Sequence, residues 1–142
     1  MGYGRHADPD STLGTDPRSD PRMVEAFSRF GLEGRMPSSG LRVDSPLAER
    51  HAFAAMSENG IGAIFDTLVG EVAEPAGVAT AMTTIAGIDG NDVTLHITRP
   101  TGASEPMPAV VHLHGGGMAI NTAADLCYVR LREYLAATGL VV

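Results

Sequence analysis

The apolar side chains of residues 20–70 repeat with helical spacing and predict three helices before any strand. The first begins at Asp20-Pro21, a capping residue followed by a proline, and ends at Gly31. The second opens with the same signal at Ser45-Pro46 and runs to about Met56, and the third ends near Gly70. The apolar residues that define the first and third helices are Met23, Phe27, Phe30, Ile61, Ile64, Phe65 and Leu68.

After residue 75 the pattern changes to extended segments rich in threonine and valine. Residues 78–85 and 93–99 flank a run of turn formers and predict a β-hairpin. The apolar run Ala109–His114 predicts a strand buried on both faces. It is followed by three glycines, by a helix expected over about 122–137, and by the start of another strand at 140–142. This order predicts an α/β fold with a parallel sheet behind an antiparallel hairpin.

Composition and charge narrow the class of protein. The 142 residues include 44% hydrophobic residues, which suits one globular domain. A net charge of −7, with basic residues scattered along the chain, excludes nucleic acid as an expected partner. We also expect no membrane association, because no stretch approaches the roughly 18 apolar residues that span a bilayer. A single cysteine, Cys127, suits packing in a cytoplasmic protein.

The motif His114-Gly115-Gly116-Gly117 carries the clearest chemistry. Without side chains, successive backbone N–H groups can turn outward and approach a substrate closely, as in an oxyanion hole. Gly116 and Gly117 are the expected donors, and His114 is the expected anchor of the loop. The alternatives are a plain flexible turn and a phosphate-binding loop. The chain has neither of the glycine spacings typical of nucleotide-binding loops, which weakens the second alternative.

Other chemical sites find little support in the sequence. His112 and His114 share one face of the predicted strand, but no nearby cysteine or carboxylate completes a metal site. We therefore expect no metal and no cofactor. No serine lies in a G-x-S-x-G sequence, so the nucleophile, the acid and the base of a serine hydrolase are all expected to be missing from this chain.

The segment Pro108–Leu113 followed by His114–Met118 resembles the hormone-sensitive-lipase-like branch of the α/β-hydrolases, which are carboxylesterases. Further similar segments lie at residues 15–18, 23–26, 30–32, 87–91, 94–96, 99–100 and 114–120. The resemblance implies an N-terminal part of that fold, truncated before the nucleophile. It divides the chain into a mobile arm (1–19), a helical cap segment (20–74) and an incomplete hydrolase core (75–142).

The resemblance also implies roles for apolar residues near the loop. Met118, Phe27 and Phe30 are predicted to line the substrate pocket, although apolar side chains at helical spacing more often serve helix packing. In the family fold, the strand that follows the predicted helix lies between the hairpin and the strand ending at His114. With the neighbouring strands cut short or missing, the backbone of residues 110–113 is expected to be unpaired.

The expected function is therefore that of a serine carboxylesterase fragment, which supplies the oxyanion-hole loop for small carboxylic esters or lactones and is inactive alone. The missing C-terminal part, as a separate chain, is an expected partner besides the ester substrate. Two alternatives stay open: a member of the same fold that binds small molecules without hydrolysing them, and an inactive remnant.

Overall fold

Helix α1 spans Pro21–Ser28 in the computed structural model, in agreement with the predicted first helix. The Asp20 carboxylate accepts hydrogen bonds from the guanidinium of Arg22 (2.6 Å) and from its backbone N–H (2.9 Å). These bonds, the guanidinium's first, hold the pKa of the Asp20 carboxyl below its usual value. Gly31, with φ of +68°, follows the helix in the left-handed conformation that ends many helices.

The structure describes residues 10–142, so the first nine residues of the predicted mobile arm lie outside the described residues. Residues 10–19 form a series of turns. The Gly14 N–H donates to the Glu33 carbonyl (2.8 Å), and the Asp16 carboxylate accepts from the backbone and guanidinium of Arg18. The part of the arm that is described is thus hydrogen-bonded to the chain that follows α1.

Helix α2 is a single helix over Leu47–Gly70, where the sequence predicts two helices. Its start after Ser45-Pro46 and its end at Gly70 are as predicted, but the break between Met56 and Ile61 is absent. Glycines at 60 and 62 cost about 1 kcal/mol each relative to alanine in a helix, yet they keep the N–H that continues the hydrogen-bond ladder. One compact unit ends at Arg50, inside this helix, and a second comprises His51–Val142.

The predicted hairpin is confirmed to within one residue at each end. Strand β1 (Val78–Ala86) pairs antiparallel with β2 (Asp92–Pro100), in a register that sets Val78 opposite Pro100 and Ala86 opposite Asp92. The turn closes through a hydrogen bond from the Gly87 N–H to the Asn91 carbonyl (2.7 Å).

The predicted strand at 109–114 is largely absent. Only Ala109 is paired, in a parallel bridge to Val141, and residues 110–114 form no strand. A strand needs a hydrogen-bonded neighbour, and within the described chain only Val141 forms backbone hydrogen bonds with this segment and with Pro108 before it. The apolar pattern identified a segment that can form a strand, without showing whether a partner is present.

Helix α3 spans Leu126–Ala137, four residues shorter at its start than predicted. The Asp125 carboxylate accepts hydrogen bonds from the backbone N–H (3.0 Å) and hydroxyl (2.9 Å) of Thr122, which holds residues 122–125 in a turn before the helix. Gly139, with φ of +99°, ends α3 as predicted and leads to Val141 and Val142.

Residues 141–142 lie between the hairpin and the segment that precedes the glycines. Val142 exchanges two backbone hydrogen bonds with Thr98 of β2 (2.8 and 2.9 Å). On its other side, Val141 donates to the Pro108 carbonyl (2.9 Å) and accepts from the Val110 N–H (2.8 Å). The strand order expected from the family fold is therefore confirmed for these residues.

The interior of the second unit is small. Thr98 of β2 and Ala136 of α3 are fully buried, and α3 packs against both strands of the hairpin. Arg130 and Arg132 of α3 are also buried. Among the described helices, none is both long enough and apolar enough to span a bilayer.

Candidate functional site

In the loop after His114, the second glycine, Gly116, has a conformation and surroundings that only glycine can occupy. Gly116 adopts φ of +124°, and a Cβ atom added there would lie 1.8 Å from the Ile120 carbonyl oxygen. The Gly116 carbonyl accepts hydrogen bonds from the N–H groups of Ala119 and Ile120, both at 3.1 Å. The loop is thus a tight turn that brings two backbone segments into direct contact.

Three successive residues of this turn have positive φ. Gly117 (φ +61°) and Met118 (φ +60°) continue the conformation that begins at Gly116, and both are exposed. The N–H groups of Gly116 and Gly117 donate to no other residue of the described chain. Two neighbouring backbone donors are therefore unpaired at the surface of the loop, which is the chemistry an anionic oxygen requires.

His114 lies at the base of the turn. Its Nδ1 atom is 2.8 Å from the Gly115 carbonyl oxygen, so an Nδ1-protonated ring donates a hydrogen bond to the loop. The ring centroid lies 5.6 Å from that of Tyr128 on α3. These contacts suit the predicted role of His114 as a loop anchor, which stays a prediction.

Two residues that the sequence did not single out contact this loop. The ring of Tyr128 lies beside both His112 (5.8 Å between centroids) and His114, and its hydroxyl accepts a hydrogen bond from the Asn121 amide (3.4 Å). The carboxylate of Glu58 on α2 accepts from the Asn121 N–H (3.3 Å), with Asn121 itself at φ of +67°. Glu58 is 63 residues away in the chain, so no local pattern could indicate this contact.

The predicted pocket residues lie in different units. Met118 is fully exposed and borders a cavity of about 650 Å³, whereas Phe27, in α1, and Phe30, just after it, belong to the unit that ends at Arg50. The cavity is walled by Val93–Ile97 of β2 and by Ala109–Gly115, with Arg132, Val141 and Val142 also lining it. The pocket role of Met118, Phe27 and Phe30 stays a prediction.

Two further kinds of reactive group remain to be placed, the metal-ligand side chains and the single cysteine. Among residues 10–142, no three His, Cys, Asp or Glu side chains are grouped so that they could hold a metal ion. Burial raises the pKa of the half-buried Cys127 thiol, which keeps it protonated and poorly nucleophilic.

Comparison with known proteins supports the resemblance seen in the sequence. No protein-family model matches the chain, and no curated protein matches it. Among solved structures, brefeldin A esterase, a bacterial homologue of human hormone-sensitive lipase, matches with 36% sequence identity and a TM-score of 0.82. The match covers 96% of this chain but 38% of the esterase chain, so this chain spans well under half the length of that relative.

The similarity confirms the predicted fold class and the predicted branch of the α/β-hydrolases. An identity of 36% over almost the whole chain accompanies the observed order of helices, antiparallel hairpin, glycine loop and α3. The chain is therefore related to a bacterial homologue of hormone-sensitive lipase, and its fold is that of the N-terminal region of an α/β-hydrolase.

Proposed function

We propose that this chain is the oxyanion-hole-bearing part of a serine carboxylesterase that acts on small carboxylic esters or lactones. The observation that carries the proposal is the pair of unpaired N–H groups at Gly116 and Gly117, held at the surface by a turn that requires glycine. Such donors would stabilise the negative charge that develops on the carbonyl oxygen when a nucleophile attacks an ester.

The attacking group must come from polypeptide outside these residues, because no serine here lies in G-x-S-x-G. The similarity to an esterase over 38% of its chain supports a division of labour in which this part supplies the electrophilic stabilisation. The completing part would supply the serine, the acid and the histidine. On this proposal the isolated chain holds a substrate oxygen but forms no acyl intermediate.

The contacts around the loop support its preorganisation. Tyr128, from α3, lies against the ring of His114, and Glu58, from α2, binds the Asn121 N–H at the end of the turn. An oxyanion hole is effective when its donors are fixed before charge develops, since no energy is then spent on reorienting them. Met118, directly after the donors, is proposed to contact the acyl or alcohol group of the substrate, and Phe27 and Phe30 are proposed as pocket residues of the cap segment.

The proposal is tested by completing the fold. Residues 1–142 are joined to the part of brefeldin A esterase that has no counterpart here, and hydrolysis of p-nitrophenyl butyrate is measured for this chimaera and for the isolated chain. We expect turnover by the chimaera and none by the isolated chain. Gly116→Ala keeps the N–H, but its Cβ would collide with the Ile120 carbonyl and displace the donors, so kcat of the chimaera should fall by about 100-fold or more, as when an oxyanion donor is lost.

Gly117→Ala is the matched control. A Cβ atom at Gly117 meets no neighbour within 4 Å and the N–H is kept, so only the left-handed conformation is penalised, by about 1–2 kcal/mol. We expect this variant to stay within about tenfold of the parent. Hydrolysis by the isolated chain, or full activity of Gly116→Ala, would contradict the proposal. A folded chimaera that binds the ester without hydrolysing it would favour a ligand-binding protein instead.

A further inference from the structure

Tyr128, in the first turn of α3, contacts both ends of the glycine turn. A Cβ atom at Gly115 would lie 3.0 Å from the Tyr128 hydroxyl oxygen, so this oxygen lies against the start of the turn. The same oxygen accepts a hydrogen bond from the side-chain amide of Asn121 (3.4 Å), where the turn ends. One half-buried side chain thus bridges the two residues between which the N–H groups of Gly116 and Gly117 lie.

The position of this hydroxyl is itself fixed by its surroundings. The ring of Tyr128 lies beside the rings of His112 and His114, in the segment that enters the turn. The hydrogen bonds between Thr122 and Asp125 hold the chain that leads from the turn into α3. The hydroxyl is therefore presented to the turn by a helix, and side chains on regular elements are held more precisely than those on loops.

Glu58 of α2 holds the end of the turn from a second element. Its carboxylate accepts a hydrogen bond from the backbone N–H of Asn121 (3.3 Å), which pairs a charged acceptor with a backbone donor. Glu58, the turn and α3 all belong to the compact unit His51–Val142. The backbone and the side chain of Asn121 are thus bound by residues of two different helices.

The turn depends on such outside contacts because two of its residues other than glycine adopt the left-handed conformation. These are Met118 (φ +60°) and Asn121 (φ +67°). Unfavourable backbone conformations persist where the surrounding structure imposes them. Among residues 10–142, the backbone hydrogen bonds within the turn are those to the Gly116 carbonyl, and they fix neither end of it. The contacts of Tyr128 and Glu58 supply what these bonds leave out.

We propose that the Tyr128 hydroxyl, supported by the Glu58 carboxylate, is a positioning group for the oxyanion hole, which sets the directions of the Gly116 and Gly117 N–H groups without touching the substrate. The inference rests on the proposed function and deepens it, since it assigns the geometry of the hole to side chains of α3 and α2. Donors fixed in advance act on the charge that develops in the transition state. Loss of the hydroxyl should therefore lower kcat and leave KM unchanged.

The first test uses the isolated 142-residue chain, isotopically labelled for NMR relaxation, and measures the backbone order parameters of Gly116 and Gly117. We expect about 0.85 in the parent and below about 0.6 in Tyr128→Phe, which keeps the ring and removes only the hydroxyl. Tyr134→Phe is the matched control. It removes a hydroxyl of the same helix that donates to the Ala73 carbonyl (2.8 Å), so the two glycines should keep their parent values.

The second test measures kcat and KM for p-nitrophenyl butyrate in the chimaera. Tyr128→Phe should lower kcat by about five- to tenfold with KM unchanged, as for one lost hydrogen bond, and Tyr134→Phe should match the parent in both constants. Glu58→Ala should lower kcat to a similar extent. Glu58→Gln keeps an oxygen that can accept from the Asn121 N–H, so it should recover most of that loss.

Several results would overturn the proposal. These are order parameters unchanged by Tyr128→Phe, equal effects of Tyr128→Phe and Tyr134→Phe, and a rise in KM without a fall in kcat. Activity of Glu58→Gln as low as that of Glu58→Ala would remove Glu58 from the positioning role. A chimaera that hydrolyses no ester would contradict the proposed function, whereas the order parameters of the isolated chain would still decide whether Tyr128 holds the turn. The two failures are therefore distinguishable.

Discussion

The hairpin and the segment before the glycine loop are both rich in strand-favouring residues, but only the hairpin forms a continuous sheet. β1 and β2 form a continuous two-stranded sheet over Val78–Ala86 and Asp92–Pro100, whereas only Ala109 of the run 109–114 is paired. Both stretches consist of residues that favour strands. The difference lies in the partner, since β1 and β2 are neighbours in sequence and a tight turn joins them, while residues 110–114 depend on chain from elsewhere.

A similar contrast, between a group with partners and one without, appears in the two buried arginines of α3. The guanidinium of Arg130 donates to the carboxylates of Glu74 (2.9 Å) and Glu133 (2.6 Å), and these two partners, Glu74 first, raise its pKa. Arg132, one half-turn further, is buried without a carboxylate. The backbone of residues 111–114 and the Nε atom of Arg132 both lack a hydrogen-bond partner among residues 10–142, and these residues line one cavity.

Proline substitution gives the largest expected effect in this comparison. Thr98→Pro removes the N–H that donates to Val142 and leaves that carbonyl unpaired beside a fully buried position, so we expect a loss of about 3 kcal/mol in the free energy of unfolding. His112→Pro removes a backbone N–H that bonds to no described residue. Apart from the lost ring contact with Tyr128, we expect this substitution to lower the free energy of unfolding by less than about 1 kcal/mol. Urea titration followed by circular dichroism measures both. Equal losses would show that residues 110–114 are held as firmly as β2.

The local sequence predicted the structure correctly wherever an element is stabilised by contacts among its own neighbouring residues. The cap of α1 at Asp20, the left-handed Gly31 that follows the helix and the hairpin were predictable, because each depends on residues within a few positions of one another. The glycine loop was recognisable for the same reason, as the sterics at Gly116 arise from Ile120, four residues later.

The remaining features depend on distant chain. The pairing of Ala109 depends on Val141, and the loop contact of Glu58 crosses 63 residues. The continuity of α2 escaped prediction because two glycines and a polar run mimic a helix end, while a helix that keeps every N–H can pass through them. The burial of Arg132 could not be predicted from the sequence, since a charged residue in a helix is normally exposed to solvent.

A smaller effect is expected from the side chains that join β1 to β2. The hydroxyls of Thr80 and Thr98 lie 2.8 Å apart, and Thr98 is fully buried while Thr80 is exposed. Thr80→Val leaves the buried Thr98 hydroxyl without this partner and should cost about 1–3 kcal/mol in the free energy of unfolding. Thr98→Val leaves the Thr80 hydroxyl free to bond water and should cost about 0.5 kcal/mol. Urea titration of the two variants gives the asymmetry, and a reversed order would show that Thr98 has a second hydrogen-bond partner.

The smallest expected change has opposite signs at the two arginines of α3. Replacing Arg132 by methionine removes an unpaired buried cation while keeping much of its volume, so the chain should gain about 1 kcal/mol in the free energy of unfolding. Arg130→Met removes two carboxylate bonds and should destabilise the chain. Thermal unfolding of both variants measures the signs. A loss of stability in Arg132→Met would mean that the bond of Arg132 to the Ala123 carbonyl already offsets the cost of burying its charge.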